Sequence, residues 1–161
     1  MTYTIDMLID KIKEVGKSYD LDKIQAAYEL AEKAHDGVFR SSGEPYITHP
    51  VAVAYILVEQ FCMDTDTICA ALLHDVVEDT DVGLDVIQKK FGEDVAHLVD
   101  GVTKIGQVPL NTREEQQAEN IRKILIAMSK DIRVIIIKLA DRLHNLSLIH
   151  ISEPTRQEAI S

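Results

Sequence analysis

The stretch LLHDVVEDT, residues 72–80, constrains the fold more than any other part of the sequence. A His-Asp pair, His74 and Asp75, follows directly on an apolar run, and a second acidic pair, Glu78 and Asp79, comes one helical turn later. Titratable groups at the end of an apolar segment are costly to bury unless something pairs with them. The fold is therefore expected to bring compensating groups to this stretch from elsewhere in the chain.

Apolar residues recur at helical spacing along most of the chain, and no segment shows the alternation of a half-buried strand. This pattern predicts an all-α fold, and 161 residues with 46% hydrophobic content suit one domain with a sizeable core. The run Val134 to Ile137 is β-branched throughout, but Leu139 and Leu143 continue the helical apolar register beyond it, which favours a helix. Eight helices are expected, with the approximate ranges 4–15, 21–35, 48–61, 64–76, 83–91, 93–105, 112–128 and 132–145.

Start signals support several of these bounds. Thr48 is expected to cap the third helix, with Pro50 tolerated in its first turn. Asp131 is expected to cap the eighth helix, and Thr112 with Glu115 has the spacing of a capping box before the seventh. The fourth helix is predicted to continue without a break through the His-Asp pair.

A divalent cation is the compensating group that the residue types favour. His49 lies upstream in the word THP, and Asp141 lies downstream in LADRLHN, so that together with His74 and Asp75 they offer nitrogen and oxygen ligands. Such a set suits manganese, zinc or iron better than calcium. Each residue alone has an ordinary explanation, since a histidine before proline is often a capping or surface residue and acidic helix ends are common. Only their joint occurrence indicates a site.

The charge and hydropathy of the chain limit its partners. A formal net charge of -10 argues against non-specific nucleic-acid binding, which requires a basic face. There is no run of 18 apolar residues and no positively charged leader followed by an apolar segment. We therefore expect no membrane span, no direct nucleic-acid binding and a cytoplasmic location.

Four words give a more specific indication: SGEPYITHP at 42–50, LLHDVVEDT at 72–80, DGVTK at 100–104 and KLADRLHN at 138–145. In this order they resemble the N-terminal hydrolase domain of the RelA/SpoT (Rel) family, which belongs to the HD superfamily of metal-dependent phosphohydrolases. The resemblance covers nearly all of residues 1–145. It implies an HD-domain helical bundle with one divalent metal, usually Mn²⁺, whose ligands are His49, His74, Asp75 and Asp141.

The resemblance also implies roles for residues around the metal. Glu78 and Asp79 match an acidic pair that orients or activates the attacking water. Arg40, Ser42 and Asn145 match positions that contact the guanine nucleotide. The family often has a lysine where this chain has a serine at position 41, which is expected to weaken substrate contacts without removing the chemistry. His35, His97 and His144 fall outside the ligand pattern, although His144 is a candidate for a supporting contact.

The implied reaction is hydrolysis of the 3′-pyrophosphate of ppGpp or pppGpp, which gives GDP or GTP and pyrophosphate in the stringent response. The chain would then be a fragment of a bifunctional synthetase/hydrolase or of a small stand-alone hydrolase. One alternative is a catalytically silent regulatory HD domain, but silent relatives lose the His-Asp and Glu-Asp pairs that this chain retains. Another is an HD phosphohydrolase for other nucleotides, against which the words SGEPYITHP and DGVTK argue.

The end of the chain differs in character from the rest. LSLIHISEPTR, residues 146–156, resembles the conceptual translation of a transposase-type sequencing adapter, and Pro154 would break a continuing helix. We therefore expect residues 1–145 to be an HD domain that is incomplete at its C-terminal end, and residues 146–161 to be non-native. An incomplete domain would expose apolar surface, so weak stability and impaired activity are expected of this chain.

Overall fold

A computed structural model describes residues 2–16, 18–106 and 114–152. Within these ranges the all-α prediction is confirmed, and the extended pairing seen there is a single antiparallel bridge between Phe39 and Pro45. The nine helices of the described residues are α1 (Ile5–Val15), α2 (Leu21–Ala34), α3 (Thr48–Glu59), α4 (Thr65–Leu73), α5 (Val76–Asp79), α6 (Leu84–Phe91), α7 (Glu93–Gly106), α8 (Glu114–Lys130) and α9 (Ile132–Ser152).

Several helix ends are fixed by the residues that the sequence offers there. The Thr4 hydroxyl accepts a hydrogen bond from the Met7 N–H at 3.3 Å, and Gly16 ends α1 with the left-handed φ of 76° that glycine tolerates. Asp131 caps α9 as predicted, since its carboxylate accepts from the Arg133 N–H at 3.0 Å. The predicted capping box at Thr112 lies outside the described residues.

Thr48 does not cap α3, and that prediction is wrong. The helix begins at Thr48 itself, and the preceding residue, Ile47, already has right-handed helical angles. The Thr48 hydroxyl instead donates to the Pro45 carbonyl at 2.8 Å. Two turns precede the helix, with the N–H groups of Thr48 and His49 bonded to the carbonyls of Pro45 and Tyr46. A residue that caps a helix through its side chain normally has an extended backbone. These turns leave no residue with an extended backbone directly before α3.

The predicted fourth helix is in fact two helices, α4 and α5, separated by a turn at His74 and Asp75. The His74 ring explains the break, because Nδ1 bonds to the Ala71 carbonyl at 2.5 Å. In a continuous helix that carbonyl would accept from the Asp75 backbone N–H. The Asp79 N–H still bonds to the Asp75 carbonyl at 2.9 Å, so the one-turn spacing of the two carboxylates is retained.

Helix α4 is the centre of the bundle. Every residue from Thr67 to Leu73 is buried, and α2, α3 and α7 pack around this helix. Helix α9 lies across α3 and α7 and also touches α4. This packing brings together the N-terminal turn of α3, the C-terminal end of α4 and the middle of α9, which are the three places that carry predicted metal ligands.

Helix α9 turns a different face to the core from the one expected. Val134, Ile137 and Ala140 are buried, whereas Leu139 and Leu143 remain 48% and 43% exposed. The helical assignment is therefore confirmed, but the two leucines lie on its outer side. No helix among the described residues combines the length and the apolar character that a membrane crossing requires.

Candidate metal centre and active site

Three side chains from three helical segments converge in the interior. His49 comes from the first turn of α3, His74 from the turn after α4 and Asp141 from α9, and each offers a ligand atom within 4.8 Å of the other two. His49 Nε2 lies 2.6 Å from Asp141 Oδ1, and His74 Nε2 lies 3.6 Å from the same oxygen. All three residues are buried. The predicted convergence of these residues, 92 positions apart in the case of His49 and Asp141, is thus present.

The ring of His74 fits a metal ligand. Its Nδ1 donates to the Ala71 carbonyl, so Nε2 is the nitrogen that faces the centre. That Nε2 atom is buried and has no hydrogen-bond partner. A buried polar atom without a partner costs about 1–3 kcal/mol, and a bound cation would remove this cost. The donor set of two imidazoles and a carboxylate therefore fits a divalent transition metal.

Asp75 lies next to the group of His49, His74 and Asp141. It is not one of the residues whose ligand atoms all lie within 4.8 Å of one another. Its Oδ2 lies 3.2 Å from His74 Nε2 and accepts a hydrogen bond from the Tyr46 hydroxyl at 2.6 Å. Tyr46 was not identified from the sequence, although it lies in the SGEPYITHP word, three residues before His49. The hydrogen bond from the Tyr46 hydroxyl fixes Oδ2 of Asp75 and leaves Oδ1 available to a ligand.

His144 supports His49 from the side away from the centre. The two Nδ1 atoms are 2.7 Å apart and the rings are stacked, with centroids 5.0 Å apart. Burial, helped by the neighbouring His49, lowers the pKa of His144 to about 4. The His144 ring is therefore neutral near pH 7 and can accept the Nδ1 proton of His49, which leaves His49 Nε2 to face the centre. Such contacts orient metal-binding histidines in general.

Opposed charges hold the centre together. Burial disfavours the charged forms of Asp141 and His74, but their mutual attraction prevails. The neighbouring His49 and His74 hold the pKa of Asp141 well below its usual range, and the carboxylates of Asp75 and Asp141 raise the pKa of His74 to about 9. For His49 burial outweighs the carboxylate, so its pKa is lowered. Lys138 Nζ adds a hydrogen bond of 3.1 Å to Asp141 Oδ2.

The predicted water-handling pair lies on α5, beside the three-residue group. Glu78 and Asp79 are both exposed. Partial burial, reinforced by the negative charge of Asp75, raises the pKa of Glu78. A carboxylate with a raised pKa is a better proton acceptor, as a general base requires. Asp79 Oδ2 lies 3.5 Å from Nε2 of the buried His35.

Two of the three predicted nucleotide contacts meet in the fold. Arg40 Nη2 donates to Asn145 Oδ1 at 2.8 Å across 105 positions of sequence. The other terminal nitrogen of Arg40, Nη1, is buried without a hydrogen-bond partner. Ser42 is exposed in the loop that the Phe39–Pro45 bridge closes, and no contact brings it to the other two.

Comparison with known proteins identifies the family of the chain. The HD domain family model matches residues 27–161. A guanosine-3′,5′-bis(diphosphate) 3′-pyrophosphohydrolase of Vibrio cholerae is 47% identical over 158 residues, which are 96% of this chain and 22% of that protein. The bifunctional (p)ppGpp synthase/hydrolase SpoT of Escherichia coli is 45% identical over the same length and the same shares.

A solved structure is also similar. It is that of a metazoan orthologue of SpoT, described as hydrolysing ppGpp and playing a role in starvation responses. The two share 32% identity with a TM-score of 0.65, and the match covers 84% of this chain and 74% of that one. The chain therefore belongs to the HD domain family. Within this family it falls in the RelA/SpoT group, as the resemblance implied, and it spans about a fifth of the length of the curated relatives it matches.

Proposed function

We propose that the chain is the hydrolase domain of a RelA/SpoT-type enzyme that removes the 3′-pyrophosphate of (p)ppGpp, giving GDP or GTP and pyrophosphate. The observation that carries the proposal is the buried group of His49, His74 and Asp141, with the unpartnered Nε2 of His74 facing its centre. The Vibrio cholerae relative and the metazoan SpoT orthologue are both described as acting on this class of nucleotide. In the full protein the domain would act in the stringent response, in the cytoplasm where guanine nucleotides are found.

The proposed cofactor is one Mn²⁺ ion held by His49, His74, Asp141 and Asp75. Mixed imidazole and carboxylate ligands favour manganese, iron or zinc, and the resemblance selects manganese. Asp75 is included because its Oδ2 lies only 3.2 Å from His74 Nε2. A divalent cation bound there would supply the positive charge that polarises a phosphoryl oxygen and lowers the pKa of water.

The residues beside the metal group have separate proposed tasks. Glu78, with its raised pKa, accepts the proton of the attacking water at a carboxylate oxygen. Asp79, one residue further along α5, orients the same water. Lys138, which already bonds to Asp141 Oδ2, places a positive charge where phosphate charge develops.

The proposed nucleotide contacts come from the loop before α3 and from α9. The buried Nη1 of Arg40 is free of protein hydrogen bonds and suits a phosphate or a base acceptor, while Nη2 is held by Asn145. Ser42 stands exposed on the same loop. Since Ser41 replaces the lysine that the family often has, we expect a higher KM with the chemistry retained.

The test uses the protein expressed from the complete reading frame of the source gene, assayed for pyrophosphate release from ppGpp with Mn²⁺. We expect His74→Ala and Glu78→Ala each to lower kcat by at least about 100-fold, since one removes a ligand and the other the base. His97→Ala is the matched control, because His97 is an exposed histidine of α7 outside the metal group. Pyrophosphate release that persisted in either active-site variant would refute the assignment. An inactive intact protein would favour the silent regulatory domain.

We also propose a domain boundary at residue 145, with residues 146–161 non-native. The adapter resemblance of LSLIHISEPTR supports it. Helix α9 and the HD domain match both continue beyond this position, so neither marks the boundary. Amplification of the source DNA across codon 145 decides the matter. A different sequence after that codon supports the boundary, and recovery of the LSLIHISEPTR codons in the genome overturns it.

A further inference from the structure

His35 is a buried titratable residue that the proposed mechanism does not use. It ends α2, its side chain is only 2% exposed, and it is not one of the metal group. Its ring is held on two sides. Nδ1 lies 3.1 Å from the Ala31 carbonyl, and the face of the ring packs on Tyr46 with centroids 4.6 Å apart and planes inclined by 32°. The remaining nitrogen, Nε2, therefore has a fixed position.

That nitrogen points at the site. Nε2 is buried without a hydrogen-bond partner, and Asp79 Oδ2 lies 3.5 Å from it. The two residues differ in freedom, because the Asp79 side chain is 46% exposed while the His35 side chain is enclosed. A small rotation of the exposed Asp79 carboxylate would close the gap to hydrogen-bond length, whereas the imidazole is held by the Ala31 carbonyl and by Tyr46. The ring thus sets where the carboxylate rests.

The tautomer of His35 follows from its backbone contact. A carbonyl oxygen can only accept, so Nδ1 must keep its proton to bond with Ala31. Nε2 then approaches the Asp79 carboxylate favourably only when a proton lies between them. Two lone pairs facing each other at this distance inside the protein would repel. A proton shared at Nε2 would therefore satisfy the ring nitrogen and the carboxylate together.

Resting on the proposed function, we propose that His35 is a positioning residue for Asp79, which it holds towards the reacting water through the proton shared at Nε2. Tyr46 connects the pair of His35 and Asp79 to the metal group, because the side chain that stacks on His35 also donates to Asp75 Oδ2 at 2.6 Å. One buried pair of rings thus fixes both a predicted ligand and a predicted water-handling residue.

Two substitutions distinguish the roles of the two ring nitrogens of His35. In His35→Asn the amide nitrogen replaces Nδ1 and keeps the Ala31 bond, but nothing faces Asp79. In His35→Gln the amide nitrogen reaches the position of Nε2 and can still donate to the carboxylate. We expect His35→Asn to lower kcat by about tenfold or more with little change in KM, and His35→Gln to recover a substantial part of that loss, as supporting contacts of this kind usually show.

The kinetic experiment uses the Mn²⁺-loaded protein from the complete reading frame, with His97→Asn as the matched control on an exposed histidine. An unchanged kcat in His35→Asn overturns the proposal. So does a His35→Gln variant that is folded but no more active than His35→Asn. A loss confined to KM would also overturn it, since that result assigns His35 to substrate binding.

A second readout does not depend on activity. Imidazole ¹⁵N spectra of the histidine-labelled chain report the proton at each ring nitrogen, and the His35→Asn spectrum identifies the His35 signals. We expect a protonated Nε2 in the unmodified chain and loss of that proton in Asp79→Asn. An unprotonated Nε2, or a spectrum that Asp79→Asn leaves unchanged, overturns the proposal even if the protein hydrolyses ppGpp. Failure of hydrolysis alone counts against the proposed function and not against the pair.

Discussion

At His74 a proton and the proposed divalent cation would compete for the same atom, because Nδ1 bonds to the Ala71 carbonyl and only Nε2 faces the centre. Burial works against the imidazolium, yet the carboxylates of Asp75 and Asp141 raise the pKa of His74 to about 9. The metal-free protein therefore carries a proton on Nε2 at pH 7, and a cation must displace it. Metal binding is thus coupled to proton release.

This coupling predicts that Mn²⁺ affinity rises with pH. With the pKa of His74 raised to about 9, the competing proton is lost only as the pH approaches that value. The apparent affinity should increase by up to about tenfold per pH unit between neutral pH and the pKa, and then level off. Calorimetric titration with Mn²⁺ at several pH values measures the slope. His97→Gln should retain this slope, whereas a flat profile in the unmodified chain would contradict the raised pKa of His74.

The phenol of Tyr46 permits a second test at this scale. Burial, together with the charge of Asp75, raises the pKa of Tyr46 far above its ordinary value, so the hydroxyl keeps its proton and donates. Tyr46→Phe should weaken Mn²⁺ binding by about 10–100-fold, because Asp75 loses the contact that orients it. Tyr28→Phe is the matched control, as its hydroxyl contacts Glu32 within α2. Equal affinities in the two variants would show that Tyr46 does not orient Asp75.

The residue types and their order in the sequence predicted that His49, His74 and Asp141 meet, because histidines and a carboxylate near an apolar run suit a common metal ion. Tyr46 and His35 were not predicted as supports. A tyrosine and a histidine in a loop or at a helix end carry no periodic signal, and their contacts with Asp75 and Asp79 depend on how α2 packs beside α4. Such contacts follow from tertiary packing and are absent from local sequence.

At the scale of helices, the packing of α7 explains the residue types in the word DGVTK. Val102 is buried, Lys104 bonds to Asp100 at 2.9 Å, and Gly101 faces α9. A Cβ atom at Gly101 would lie 2.8 Å from a methyl carbon of Val134. The glycine therefore sets how closely α7 and α9 approach, and α9 carries Asp141.

Gly101→Ala should lower the free energy of unfolding. The clash with Val134 is expected to cost about 1–3 kcal/mol, which outweighs the gain of up to about 1 kcal/mol in helix propensity. Urea unfolding followed by circular dichroism measures the difference. Val134→Ala added to Gly101→Ala makes room for the new methyl, so the effects of the two substitutions should be less than additive. Strict additivity would place the cost elsewhere than at this contact.

Helix positions were largely predictable because apolar spacing and caps such as Asp131 are local signals. Two features of the helices could not be predicted from local sequence. The break at His74 comes from a side chain that takes the Ala71 carbonyl, which no spacing rule reveals. The start of α3 comes from turns that bond Thr48 and His49 to the preceding loop, so a residue with the composition of a cap became the first helical residue.

At the scale of the whole molecule, α8 and α9 expose large apolar side chains that the rest of the described bundle does not cover. On α8 these include Ile121 and Leu125, and on α9 Leu139, Leu143 and Leu146. That the domain is incomplete at its C-terminal end stays a prediction. Exposed apolar patches of this kind promote association.

Replacing Leu139 and Leu143 by glutamine should therefore reduce aggregation of the 161-residue chain without loss of folding. Both side chains are nearly half exposed, so little buried contact is removed. Light scattering on heating measures association, and circular dichroism measures the fold. Ile137→Gln is the contrasting variant two residues before Leu139, because Ile137 is completely buried and its substitution should unfold the chain. Unchanged scattering in the double variant would show that another surface drives association.

The contact between Arg40 and Asn145, like that between His49 and Asp141, joins residues that are 105 and 92 positions apart in sequence, respectively. During synthesis the N-terminal part of a chain emerges first, and contacts distant in sequence form late. A nascent chain that ends before α9 presents His49 and His74 without their carboxylate partner. The buried group of His49, His74 and Asp141 can therefore assemble only after α9 has left the ribosome.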